Sequence, residues 1–401
     1  MLSPFNVVIL FGCMVVVANA FDCTFQDSYP RQYVAYHLEG TSPPTFDGNL
    51  SEPVWAAVGF TERFVDISTT TLPKFSTNVK IRWDSDNLYV AALLEDEAVW
   101  SNISSTCHCL NATQDQVIFH DNDFEIFVDA DGSTHYYKEF EMNAANATWD
   151  LCLNKAYNDG GYENSSRVFG INGWDYPLPV GRKGSLQSGT ALLGGALNDP
   201  TIPTYGWSAE AALPLATLIQ NTSATIPPSA GDIWRINFSR VEYAVAVVSG
   251  KYWKEPACQS CPVPGAANED NWVWSPQGSI AMHLPEKWGL LQFARGAVNA
   301  TSTIQYTQWP VRALAAEIYY AQHAYASAHQ GAYTTNPNDL LPFVSDPSVL
   351  DGTCTLGLPL VISVGNDAAG ASHFNVTVPP VPVGNKVLSA TIRDDRYLTV
   401  Q

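Results

Sequence analysis

Runs in which apolar and polar residues alternate one for one recur along this chain, and that period constrains its fold more than any other feature. Val79, Ile81 and Trp83 alternate with Lys80 and Arg82, and Asp84-Ser85-Asp86-Asn87 then reads as a turn into the run 88–96. Successive side chains of a strand point to opposite faces, so this pair reads as a hairpin with one apolar side. Residues 124–130, 135–144, 148–153, 206–214, 233–243 and 288–293 are further strand candidates. Regular strands with turn residues between them predict an all-β fold, an antiparallel β-sandwich of jelly-roll type. Short helical turns are expected at 51–58, where Ser51 is placed to cap and Pro53 sits early, and at 215–220.

From residue 294 the pattern changes. Residues 294–308 are small and polar and read as a linker, and 310–330 is alanine-rich with Val311, Leu314, Ile318 and Tyr325 near one helical face. Short β-like runs follow over 353–401. With 46% hydrophobic residues the chain has material for one sizeable core plus an appendage. The expected division is a leader at 1–20, a β-sandwich at 21–293 and a C-terminal appendage at 294–401, the last holding a helix near 310–330 and a small β-rich part.

The leader reads as a secretory signal peptide. Its apolar core is Val7–Val17, and Ala18-Asn19-Ala20 matches a small-x-small cleavage site. That core is shorter than the roughly 20 residues of a membrane helix, so no membrane insertion is expected after cleavage. Sequons at Asn49, Asn102, Asn111, Asn146, Asn164, Asn221, Asn237, Asn299 and Asn375 fit passage through a glycosylating secretory pathway. The expected product is a secreted, extracellular glycoprotein. Its 20 Lys+Arg against 39 Asp+Glu give a net charge of −19, which repels nucleic acid and anionic membranes. Cys13 lies in the leader, which leaves Cys23, Cys107, Cys109, Cys152, Cys258, Cys261 and Cys354. In an oxidising compartment disulfides are the expected use, with one cysteine left over.

Alternation also sorts the polar residues. Glu125 and Asp129 share a face opposite Phe124, Ile126 and Val128. Glu139, Glu141 and Asn143 line up together, and Arg235, Asn237 and Ser239 oppose Trp234, Ile236 and Phe238. Three polar rows make either a solvated outer face or a shared binding face. Trp272 and Trp274 point the same way if their segment is extended, and the flanking Asn268, Glu269, Asp270, Asn271 and Pro276 suggest an exposed loop. Indole plates beside acid and amide groups suit a glycan, whose C–H faces stack and whose hydroxyls need fixed partners. The ligand-binding candidates are therefore Trp272, Trp274, Glu125, Glu141, Asn143, Arg235 and Phe119, with core packing as the alternative for the tryptophans. Asp121, Asp123, Asp129 and Asp131 with Gly132 form an acidic cluster, in which Asp129 and Asp131 are candidate ligands of a structural calcium ion or simply turn formers. No other cofactor is required. No catalytic residue is assigned, although Glu125 with Glu141 or Glu139 makes a carboxylate pair of the kind that hydrolyses O-glycosyl bonds.

Six segments carry a family likeness in order: 46–55, 79–96, 120–151, 205–214, 231–243 and 271–293. Together they resemble the family 9 carbohydrate-binding modules, specifically the carbohydrate-binding family 9-like proteins related to the DOMON sandwich group. The resemblance implies a β-sandwich that binds glycans without cleaving them, structural calcium, and a role beside polysaccharide-degrading enzymes in carbohydrate catabolism. It also implies a sugar held between two aromatic plates. The strand glutamate of such a site falls on Glu125, its strand arginine on Glu141, its first plate near Phe119 and its second near Met282–His283, with Trp274 upstream. A glycoside hydrolase, a structural cell-surface glycoprotein and a DOMON-type haem module are the competing readings.

Overall fold

The computed structural model describes residues 22–103, 117–164, 186–255 and 269–401. In chain order the first strands are β1 (Gln32–His37), β2 (Val65–Asp66), β3 (Thr77–Trp83), β4 (Asn87–Leu94), β5 (Asp123–Asp129), β6 (Lys138–Asn143) and β7 (Thr148–Leu153). Next come β8 (Glu163–Asn164), β9 (Gln187–Leu192), β10 (Trp207–Pro214), β11 (Ile233–Tyr243), β12 (Val245–Val248), β13 (Lys251–Lys254), β14 (Glu269–Val273) and β15 (Gly289–Ala294). The last are β16 (Val361–Asn366), β17 (Ser372–Val383), β18 (Lys386–Arg393) and β19 (Leu398–Val400). Among the described residues the α-helices are α1 (Pro53–Ala56), α2 (Leu215–Leu218) and α3 (Trp309–Ala328).

Thirteen strands form one sheet in the order β8-β7-β6-β5-β11-β15-β1-β3-β4-β10-β9, with β14 paired to β11 and β2 to β14. Its pairings are antiparallel except at β1, which runs parallel to both β15 and β3. The sheet curls until the apolar rows of its two halves close on one core. Val79, Ile81 and Trp83 of β3 share that core with Phe124, Ile126 and Val128 of β5 and Trp234, Ile236 and Phe238 of β11. The all-β expectation holds, and the reason is the alternation itself: each of these strands has one face fit only for burial.

The polar faces are covered too. On β3, Lys80 donates to the Trp55 carbonyl (2.7 Å), and Arg82 donates to the carbonyls of Tyr36, Val54 and His37. The lid here is the α1 turn. It begins at Pro53 with Glu52 in the cap position and no side-chain cap, rather than with Ser51. Glu210 of β10 holds this turn in place by accepting from Trp55 Nε1 (2.6 Å) and from the Gly48 amide (2.7 Å).

Strands β16 to β19 make a separate antiparallel sheet against α3. Val311, Leu314 and Ile318 of the helix pack with Phe374, Val376 and Ile392, and Tyr325 packs at the margin. A disulfide joins Cys23 to Cys354, Cys152 is free and buried, and Cys107, Cys109, Cys258 and Cys261 lie outside the described residues. The segment expected as a linker is bonded to the sheet: Gln292 accepts from the Ile304 amide (2.7 Å) and donates to Ser302 O (3.1 Å). Among the described residues no helix is long and apolar enough to cross a membrane.

One buried cation ties the C-terminal part to the sandwich. Arg396 donates to Asp159 (2.9 Å) and to both oxygens of Glu286 (2.9 and 3.0 Å). All three side chains are almost fully buried. Removing one member of such a group leaves the others charged and dry, a loss of roughly 3–5 kcal/mol. Arg396→Met is therefore expected to lower the unfolding temperature by several degrees in a calorimetric scan. A melting curve unchanged from wild type would show that the two parts are held together elsewhere.

Candidate functional site

Strand pairing assembles the site in rows. Glu125 of β5 lies opposite Glu141 of β6, and Glu141 opposite Trp149 of β7. One step along, Phe127 lies opposite Glu139, and Glu139 opposite Leu151. Opposed residues on one face of a sheet have Cβ atoms only about 4.5–5.5 Å apart, so three glutamates and an indole meet in one patch. The segment at Met282–His283 and the residues Phe119 and Tyr157 close around this patch and leave a cleft of about 160 Å³. Two rings stand at its rim, Phe119 at 38% and Tyr157 at 42% exposure, while Trp149 is buried beneath at 4%. Phe119 stacks on Trp149 with centroids 6.2 Å apart. Tyr157 meets His283 edge-on at 4.7 Å, and His283 Nδ1 is 2.8 Å from the Tyr137 hydroxyl.

Among the described residues no lysine or arginine lines the cleft. Burial pushes the Glu125 carboxyl up to about 7. Burial first, and the neighbouring Glu125 charge second, push Glu139 and Glu141 well above the usual carboxylate range. Glu139 Oε2 is buried with no hydrogen-bond partner among the described residues, so a proton there lowers the cost of its burial. Glu141 Oε2 accepts from the Phe119 amide at 3.1 Å, which fixes the rim ring against the acid row. Burial lowers His283 to about 4, so it is uncharged at neutral pH. The cleft thus presents carboxyls whose burial favours the protonated form, able to donate as well as accept, beside aromatic faces.

Behind the row lies Asp123. Its Oδ1 accepts from the Val241 amide (3.0 Å), while its Oδ2 is buried with no hydrogen-bond partner. Asp123, Glu125 and Glu141 each bring a carboxylate oxygen within 4.8 Å of the other two. Calcium takes oxygens at roughly 2.3–2.6 Å, so two ligands across one ion can stand that far apart.

Several expected site residues lie elsewhere. Trp272 and Trp274 are 4% and 0% exposed and belong to the main core. Their segment is the paired strand β14 with its continuation, not an exposed loop, so the two-residue spacing turns both indoles inward. Trp272 packs beside Phe75 and under Arg240, and Trp274 donates to Glu62 (3.0 Å) while resting on Gly289, where any Cβ would strike its ring at 2.3 Å. Asn143 is saturated: it donates to Ser101, Ile103 and Asp121 and accepts from the amides of Ala145 and Ala147. Arg235 donates to the Trp288 carbonyl and lines a different, larger cavity. Asp129 and Asp131 accept from the amides of Gly132, Thr134, Ser133 and Ser223, the turn-forming use that was the alternative to calcium. Glu125, Glu141 and Phe119 do come together in the cleft, joined by Glu139. Trp149 and Tyr157 were not foreseen. The register of β6 against β7 carried the signal for Trp149, and Tyr157, in a connection, had none.

The carbohydrate family 9 binding domain-like family matches residues 46–169. Over that span the chain is similar to the family 9-like carbohydrate-binding domains. The matched span includes β2 to β8 and with them Phe119, Glu125, Glu139, Glu141, Trp149 and Tyr157 of the cleft. Among solved structures, a family 9 module from Caldicellulosiruptor kristjanssonii in complex with cellotriose is 16% identical, with a TM-score of 0.35 and coverage of 69% of this chain and 100% of its own. A putative carbohydrate-binding protein from Bacteroides uniformis is also 16% identical, with a TM-score of 0.39 and coverage of 66% and 99%. The Caldicellulosiruptor module in complex with glucose is 14% identical, with a TM-score of 0.34 and coverage of 68% and 100%. No curated protein matches the chain.

The acid row is expected to make the stability of the fold depend on pH. Glu125 titrates near 7 in the fold against an ordinary 4.5, so the folded chain holds its proton longer than the unfolded one. Its contribution is fully present below about pH 4.5 and is lost as pH rises through about 7, a change on the order of 3 kcal/mol. Denaturant unfolding at about pH 5 and pH 8 is expected to show this loss, and Glu125→Gln to reduce it. Equal losses in both proteins would place the titrating group elsewhere.

Proposed function

We propose that this chain is a secreted glycan-binding protein whose cleft holds one sugar ring without cutting the glycan, in the service of polysaccharide binding and carbohydrate catabolism. The observation that carries the reading is the acid row under two exposed rings, formed by residues within the family-matched span. Phe119 and Tyr157 supply faces for the C–H side of a pyranose, and the protonated carboxyls of Glu139 and Glu141 supply both donors and acceptors for its hydroxyls. The cleft is smaller than the roughly 300–1,000 Å³ of sites for drug-sized ligands, which suits a single ring, such as the end of a chain. The three glutamates stand side by side on one wall. A glycosidase needs its two carboxyls on opposite sides of the scissile bond, one of them ionised. The leader and the sequons support secretion.

Stacking and neutral hydrogen bonds contribute about 1 kcal/mol each, so the affinity belongs in the millimolar to micromolar range. A glycan array followed by calorimetry on the best neutral hit, with cellotriose and glucose included, is the direct test. Phe119→Ala and Tyr157→Ala are each expected to weaken binding about tenfold, equal to about 1.4 kcal/mol. Full affinity in both variants would remove the cleft from the reading.

A structural calcium ion at Asp123, Glu125 and Glu141 is a second occupant of the acid row, favoured by the unpartnered Asp123 Oδ2. It would replace protons as the neutralising charge. Millimolar calcium is then expected to raise the unfolding temperature and Glu141→Gln to abolish the rise. No difference between calcium and chelator would leave protons as the sole counter-charge.

A further inference from the structure

A second cavity, of about 820 Å³, lies between the sandwich and α3. Its walls come from the N-terminal segment before β1, the turns at 68–70 and 275–278, and the helix. The charge balance here reverses that of the chain. Arg31, Arg235, Lys287 and Arg312 line it, against Asp27, Glu286 and Glu317. Glu286 is already claimed by Arg396, and Glu317 accepts from the Ser345 amide. Four cations therefore face two acids in a protein that carries 20 basic and 39 acidic residues overall.

Two of the cations are buried without an anion. Arg235 is 3% and Arg312 7% exposed, and neither forms an ion pair among the described residues. Arg235 donates one hydrogen bond, to Trp288 O (2.9 Å). Arg312 donates to Gln308 (2.9 Å) and to Gly132 O. Both guanidinium groups sit over the Tyr306 ring, at 5.6 and 5.8 Å from its centroid, and the Arg312 charge acts on Arg235. Their near neighbour Asp129 bonds to backbone amides instead of to either guanidinium. A dry, unpaired guanidinium is costly, and two of them with spare donors at one cavity wall call for a shared anion. A guanidinium fork matches a carboxylate in two parallel bonds. The remaining wall is suited to a polyhydroxylated ring: Trp309 and Tyr320 give aromatic faces, and Ser68, Thr69, Thr70 and Gln277 give hydroxyls and an amide.

We propose that this cavity is a second binding site, distinct from the cleft, that takes a carboxylate-bearing saccharide, a uronic acid or short uronate oligomer, with its carboxylate on Arg235 and Arg312. Calorimetry on the full chain tests it with trigalacturonic acid and with its methyl ester, which keeps the shape and removes the charge. The acid is expected to bind about tenfold or more tighter than the ester. Arg312→Gln is expected to cost the acid a similar factor. Ala316→Trp fills the cavity from the helix while keeping both arginines, and it is expected to abolish binding without depending on an arginine variant that folds. Excess cellotriose is expected not to displace the acid. Equal affinity for acid and ester, no heat at millimolar acid, full binding by Ala316→Trp, or displacement by cellotriose would each overturn the proposal. The cleft reading stands or falls separately, on the neutral glycans and the rim-ring variants.

Discussion

The fold turns on a polar face that is roofed over. Strand alternation gives this sheet an apolar side that closes on itself, and that leaves rows of lysine, arginine, glutamate and asparagine on the other side. The chain does not leave those rows to water. It lays the α1 turn over β3, the segment at 282–288 over β5 and β6, and the C-terminal part over the end of β11. Each buried polar group must then find a partner or change its charge state. Arg82 ends on three carbonyls, Arg240 on Glu242 and Thr77, and Arg396 on Asp159 and Glu286. The cleft and the larger cavity are two places where the roof stands off and polar groups remain incompletely answered.

Those two places have opposite chemistry, and the cause is local. In the cleft, β5 and β6 pair in a register that sets Glu125 directly against Glu141, so acids crowd with no lysine or arginine among the described lining residues, and burial favours their protonated form. At the cavity, β11 supplies Arg235 and α3 supplies Arg312, and the nearest acid is held by a turn. A row of neutral carboxyls suits hydroxyls. A pair of unpaired guanidiniums suits a carboxylate. Under the two proposals, one fold seats a neutral and an acidic saccharide separately.

Alternation made the architecture legible. It assigned Phe124, Ile126 and Val128 to the core and Glu125 and Glu141 to one face, because period two needs only the local sequence. It failed where the environment of a strand mattered more than its period. Trp272 and Trp274 do point the same way, but polar flanks suggested a loop, and pairing to β11 and β2 buried both rings instead. Asn143 and Asp129 looked available because a side chain's backbone partners, here the amides of Ala145, Ala147, Gly132 and Thr134, are invisible without the turns that present them. Trp149 was lost for a related reason: its place beside Glu141 depends on the register of β6 against β7, which a single sequence leaves open.

That Glu141 falls where the family resemblance places an arginine has a physical consequence for the cleft. An arginine opposite Glu125 would neutralise it and hold it ionised, leaving an acceptor-only carboxylate and a donor-only guanidinium. With glutamate there, the same position is settled by a proton, and the pair donates and accepts through one kind of group. Its hydrogen-bonding pattern then follows the ligand and the pH instead of being fixed by charge. Burial makes this workable, since it raises Glu125 to about 7 and pushes Glu141 upward as well. The same burial makes ionisation of the row a cost to the whole sandwich, so under the proposed function ligand recognition and stability draw on one set of protons.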